Sequence, residues 1–116
     1  MLSLTKIKLQ KALEIYRTRV SILKKGYAQE RFRLQQLSNS FLGELNVDEI
    51  TTVHVATYRD ERLASLNSRT KQQISPATVR LEMSLLSNVF DVARIEWGFC
   101  DGNPVKNVRK PKTPPG

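Results

Sequence analysis

The sequence is short of the residue types that build most small-site chemistry. It holds one cysteine, Cys100, and one histidine, His54, in 116 residues. A lone cysteine closes no internal disulfide, and a single histidine without partners at ligand spacing holds no zinc. Stability must then come from burying apolar surface, and neither a metal nor a cofactor is expected. No apolar run approaches the roughly 20 residues of a membrane span. Met1-Leu2-Ser3-Leu4 gives way at once to alternating charged and apolar residues, so no secretory leader is expected and the chain reads as cytoplasmic. Acidic residues are scarce too. Eleven Asp/Glu against nineteen Lys/Arg give a formal charge of +8, an imbalance that draws polyanions and puts nucleic acid first among partners.

Segments of alternating β-branched residues are missing, as are repeats of solenoid length, which leaves an all-α chain. From Thr5 to Lys25, Leu9, Ala12, Leu13, Tyr16, Val20 and Leu23 fall on one helix face, and Gly26 follows as a C-terminal stop. A second helix is expected over about Ala28–Leu42, with Phe32, Leu34, Leu37 and Phe41 inward, until Gly43 and Asn46 interrupt it. A third covers roughly Thr51–Leu66, with Ile50, Val55, Tyr58 and Leu66 on its apolar side. Asn67 to Ile74 is polar and basic and reads as an exposed, flexible loop.

Ser75-Pro76-Ala77-Thr78 marks the sharpest boundary. Serine accepts an orphan amide proton there, and proline at the first helical position gives up an N–H that had no partner. Val79, Met83, Leu86, Phe90, Ala93 and Trp97 then form a long stripe, making this fourth helix the spine of the core. The tail from Gly102 is rich in proline and lysine with little to bury, the composition of an extended linker. The expected architecture is a compact bundle of four main helices over residues 1–103, with 104–116 leading out of it.

Ser75-Pro76-Ala77-Thr78-Val79, the stretch Leu86 to Phe90, Ala93, Trp97-Gly98 and Asn103-Pro104-Val105 together resemble the last helix of the core-binding domain of phage and plasmid integrases, the tyrosine recombinases. Leu45 to Ile50, Thr51, Val55, Tyr58 and Arg62 are similar to an upstream segment of the same family. The resemblance implies a SAM-like four-helix domain that, with a C-terminal catalytic domain, closes a clamp around duplex DNA. It also implies self-association on DNA in the whole protein. In that family a tyrosine attacks the scissile phosphate, with arginines, a lysine and histidines stabilising the developing charge. That set cannot be assembled here: His54 lacks an arginine three residues on, and no catalytic residue is expected in this chain.

Two groups of residues are candidates for holding DNA. Lys24, Lys25, Tyr27, Arg31 and Arg33 lie where the first helix ends and the second begins, where cations and a helix N-terminus both suit phosphates. Arg69, Lys71, Gln72, Gln73, Ser75 and Thr78 combine cations, amides and hydroxyls before the fourth helix, and Arg80, one turn in, has the fork of a guanine reader. The bland alternatives are a solvated charged face for the first group and an ion pair of Arg80 with Glu82 or Glu49. Lys106, Arg109, Lys110 and Lys112 would either follow phosphates or merely keep the linker soluble. His54 reads as surface or packing, and Trp97, Phe90 and Phe99 as core rather than a platform for stacked bases. Two rival functions use the same residues: a helical module for an acidic protein partner, and nonspecific adhesion to RNA or anionic lipid.

Overall fold

The computed structural model describes residues 6–112. Four α-helices carry it, α1 (Leu9–Arg19), α2 (Tyr27–Asn39), α3 (Thr52–Ala64) and α4 (Pro76–Val92), with no strand among the described residues. Helix α2 lies between α1 and α4, and α3 packs on the other helices through α4 and the turn after α2. The all-α bundle expected from the sequence is what forms.

Leu9, Ala12, Leu13 and Tyr16 are buried on α1, as their spacing requires. The helix begins at Leu9 because the residues before it are extended and paired elsewhere. Leu9 N–H donates to the Leu45 carbonyl at 2.8 Å and Val47 N–H to that of Ile7 at 2.8 Å, tying the start of the chain to the α2–α3 connection. Thr5, where the helix was expected to start, lies outside the described residues. At its other end α1 stops at Arg19 and tightens into a 3₁₀ turn, Ser21–Leu23. A 3₁₀ turn advances about 120° per residue instead of 100°, which swings Ser21 inward and leaves Leu23 82% exposed. The predicted stripe therefore ends before Leu23, and Gly26 is the residue that opens α2 rather than one that closes α1.

Helix α2 buries Leu34 and Leu37. Phe32, expected inward, is 66% exposed beneath the Arg31 guanidinium, 4.9 Å from its ring centre. Its position explains this: two residues from Leu34, it falls on the opposite side of a 3.6-residue helix. Phe41 is 36% exposed, because α2 ends at Asn39 and the following 3₁₀ turn, Phe41–Glu44, gives the core position to Leu42.

Thr51 opens α3 through a reciprocal cap. Its hydroxyl accepts the His54 N–H at 3.3 Å, while His54 Nδ1 accepts the Thr51 N–H at 3.0 Å. Histidine here takes the place usually held by glutamate or glutamine, which gives His54 its structural task. Val55 and Tyr58 are buried, and Leu66, past the end of the helix, is 60% exposed rather than inward.

Helix α4 matches its prediction closely. Ser75 Oγ accepts the Thr78 N–H at 3.2 Å, Pro76 fills the first turn, and Val79, Met83, Leu86, Phe90 and Ala93 are buried. The winding widens to a π turn over Ala93–Trp97 and closes at Gly98, whose φ of 68° is the left-handed conformation glycine adopts freely. Trp97 and Phe99 pack against each other, with centroids 5.7 Å apart, at the margin of the core.

The alternative pairing of Arg80 with Glu82 does not form. Glu82 lies on the buried side of α4 and takes Tyr58 and Arg62 of α3 as partners, not Arg80. It accepts from Tyr58 Oη at 2.6 Å, Arg62 Nε at 2.9 Å and Arg62 Nη2 at 2.7 Å. Burial, reinforced by the adjacent carboxylate, pushes the Tyr58 phenol far above its ordinary range, and the Glu82 hydrogen bond raises Arg62 as well.

The tail also departs from a solvated linker. Val105 and Pro111 are buried, and the Asn103 amide donates to the Ser87 carbonyl at 2.8 Å and to Asp91 Oδ1 at 3.1 Å. The composition from Gly102 onward left little to bury, yet spaced apolar residues between lysines suffice to hold the segment on α4. Residues 113–116 lie outside the described ones.

Candidate nucleic-acid interface

The segment before α4 is exposed, as the sequence reading expected, and carries several internal hydrogen bonds. Asn67 Oδ1 accepts from Arg69 N–H at 2.8 Å and from Thr70 N–H at 3.1 Å, the local bonding for which asparagine is favoured in turns. Asn67 N–H donates to the Gln72 carbonyl at 2.7 Å and Lys71 N–H to that of Asn67 at 2.8 Å. A single antiparallel bridge joins Leu66 to Gln73, and Ile74 N–H reaches the Ser65 carbonyl at 3.0 Å. Lys71 at the tip has a φ of 62°, the strained left-handed region for a residue with a Cβ. Arg69, Lys71, Gln72 and Gln73 are thereby presented on a short, self-supporting turn, with all four side chains exposed. Ser75 and Thr78 join them at the α4 N-terminus, though their hydroxyls lie 3.0 Å apart and serve the cap.

Arg80, one turn further along, is exposed, but its Nη1 donates to the Pro111 carbonyl at 3.1 Å. Among the described residues it is the cation of the predicted second group whose side chain has a partner within the chain.

The first group is divided. Lys24 Nζ donates to Tyr16 Oη at 2.9 Å and to Glu30 Oε1 at 3.2 Å, and it lies over the Tyr16 ring. Burial would lower its pKa, but these two hydrogen bonds outweigh that and raise it. Arg17 Nη1 donates to Tyr27 Oη at 3.1 Å. These two residues therefore brace the α1–α2 corner. Lys25 and Arg31 are exposed and Arg33 is half-buried on α2. Arg17, Lys11 and Arg31 also line a shallow groove of about 430 Å³ between α1 and α2, where Glu14 offsets part of the charge. Among the described residues no hydrogen bond or ion pair links this group to the turn before α4.

The structure brings in residues the sequence did not single out. Arg59 Nη1 donates to the Arg109 carbonyl at 3.0 Å, fifty positions away, and no local pattern announces that. Glu82 was visible in principle, since it falls three residues after Val79 and four before Leu86 and so shares the apolar face. Of the tail cations, Lys106 pairs with Asp91 at 3.3 Å. No group of three or more His, Cys, Asp or Glu able to hold a metal occurs among the described residues. No helix there is long and apolar enough to cross a membrane.

An all-helical domain with a basic turn leading into its longest helix defines a helical module with a surface suited to an anionic ligand. Comparison with known proteins makes the assignment specific. The chain is 50% identical over 111 residues, 96% of its length, to a shufflon-specific DNA recombinase of Escherichia coli. It is 35% identical over 108 residues, 93% of its length, to a protein of Haemophilus influenzae assigned as an integrase/recombinase. It spans 29% and 27% of those two proteins, under a third of each. No protein-family model and no solved structure matches it. The chain is a homologue of one part of each of these two proteins.

Proposed function

We propose that this chain is the core-binding domain of a tyrosine-type site-specific recombinase, holding duplex DNA at a recombination site while strand exchange is carried out by a catalytic domain elsewhere in the protein. The observation that carries the reading is the identity, 50% over 96% of the chain, with a relative named as a shufflon-specific DNA recombinase. Residues 104–116 form the connection toward that catalytic domain, and the fragment itself acts by binding rather than by catalysis. Its place of work is the bacterial cytoplasm, on DNA, where the whole protein assembles with further copies of itself.

The surface we assign to DNA is the turn bearing Arg69, Lys71, Gln72 and Gln73 together with Ser75, Thr78 and Arg80 on α4. Lys25, Arg31 and Arg33 add a second phosphate contact, while Lys24 and Tyr27 stiffen the corner beneath them. A turn with fixed backbone geometry suits this work, because cations held in place lose less freedom on binding than cations on a loose loop. Phosphate contacts dominate such a surface, so binding is mostly independent of sequence and about micromolar or weaker at physiological salt.

Titrating the chain with duplex DNA at several salt concentrations, with single-stranded RNA as competitor, tests this. A fall of log affinity with log salt at about 0.9 per phosphate contacted, several units in all, together with preference for duplex, is the expected result. Arg69→Glu combined with Lys71→Glu should flatten that slope. An absence of duplex binding at low salt would replace the reading with a protein-interaction module, and equal binding to heparin, RNA and duplex would reduce it to charge alone.

A further inference from the structure

The two arginines that reach the tail do the same thing from neighbouring helices. Arg59, on α3, donates Nη1 to the Arg109 carbonyl at 3.0 Å. Arg80, on α4, donates Nη1 to the Pro111 carbonyl at 3.1 Å. Residues 109 and 111 are two apart, and in an extended chain carbonyls so spaced face the same way. Between and before these anchors the segment is seated by apolar contacts. Val105 is 1% exposed, Val108 packs on the edge of the core, and Pro111 is buried. Asn107, Val108 and Arg109 line a small groove with Thr52, Val53 and Arg59 of α3. Pro111 has no N–H to give, and the two guanidinium groups supply the donors to the Arg109 and Pro111 carbonyls.

We propose that Arg59 and Arg80 are positioning residues that strap the segment Asn107–Pro111 across α3 and α4 and so fix the path of the chain where it leaves the bundle. Nine freely flexible residues, 104–112, would spread their far end over about 17 Å. The strap confines it to the reach of two arginine side chains. Lys110 and Lys112 are then held beside the first turns of α4 instead of sweeping through solvent. Arg80 acts in this arrangement through the tail, whether or not it also meets DNA. The inference rests on contacts within the chain and does not require the DNA reading.

The test is amide hydrogen exchange and backbone relaxation by NMR on the full 116-residue chain without DNA, comparing it with the Arg59→Gln/Arg80→Gln variant. Exchange of the Lys106 and Val108 amides, which donate to the Asn103 and Val105 carbonyls, should accelerate about tenfold or more, while amides in the interiors of α1 and α2 change little, the pattern of a local opening. Arg80→Lys should restore part of the protection, since an ammonium also donates to a carbonyl but lacks the planar fork. Unchanged exchange and relaxation over residues 106–112 in a folded double variant would overturn the proposal. Should the double variant lose helical structure, Arg80→Gln alone decides by the same readout. If that single variant weakens duplex binding but leaves the tail protected, Arg80 is a DNA contact and not a strap, and the DNA reading survives without this one.

Discussion

Glu82 is 2% exposed, and Arg62 faces it with two nitrogens while Tyr58 donates a third hydrogen bond. Removing one partner of such a pair is costly, because the other is left buried without compensation. Arg62→Leu should lower stability by about 3–5 kcal/mol, whereas Arg62→Leu combined with Glu82→Leu should recover most of that loss, as urea denaturation would show. Lys71 poses a different problem. Its φ of 62° lies in the left-handed region, which most residues with a Cβ disfavour and asparagine tolerates best among them. Lys71→Val should destabilise by about 1–2 kcal/mol because a branched Cβ crowds this backbone, while Lys71→Gly and Lys71→Asn should not, since both tolerate it. If charge is what Lys71 gives to DNA, all three variants weaken duplex binding to a similar degree, and that difference separates backbone strain from lost charge.

The connections between helices show that elements are fixed as much by what they exclude as by what they bury. After α2 the chain turns so tightly that a Cβ at Gly43 would lie 2.0 Å from the Ser38 carbonyl oxygen, a backbone atom that cannot swing aside. At Gly26, which opens α2, nothing lies within 4 Å of such a Cβ. Thermal or urea melts should therefore separate two chemically identical changes. Gly43→Ala should cost more than about 3 kcal/mol or prevent folding, and Gly26→Ala no more than about 1 kcal/mol, the scale of a lost helix-opening residue.

For the molecule as a whole, the return of the tail onto α4 is what closes the structure, and its polar anchor is pH-sensitive. Asp91 receives the Asn103 amide at 3.1 Å, Lys106 at 3.3 Å and Arg94 at 3.5 Å. Asn103 first, and then the two cations, hold the Asp91 carboxyl below its usual value of 3.8. A carboxylate whose folded pKa is depressed contributes stability above its unfolded pKa and loses it as pH falls through the folded value. The stability of the chain should fall on acidification below about pH 4, and Asp91→Asn should flatten that part of the curve while leaving its shape near neutrality unchanged. Circular dichroism melts across the acid range would read both. Asp91 is well hydrated, so the effect is expected to be small, under about 1 kcal/mol.

What the sequence determined by itself was whatever depends on neighbours along the chain. The four letters Ser75-Pro76-Ala77-Thr78 specify the start of α4, since both the capping oxygen and the proline act within one turn. The apolar spacing of Leu9, Ala12, Leu13 and Tyr16 specifies which side of α1 is buried. The charge of +8 and the cations around Lys71 were equally legible, and so was the family resemblance. Tertiary structure decided the rest. Leu23, Phe32 and Leu66 face solvent because a 3₁₀ turn, a helix phase and a helix end each shifted the apolar stripe by less than one turn. Glu82 found Arg62 and Tyr58 rather than Arg80, because burial on the α3 side leaves a carboxylate no other means of compensation. Arg59 and Arg80 met carbonyls fifty and thirty-one positions away, and no periodicity encodes a contact of that range. Local capping and hydrophobic phase are written in short stretches of sequence, whereas the partners of a long polar side chain are set only when distant segments come together.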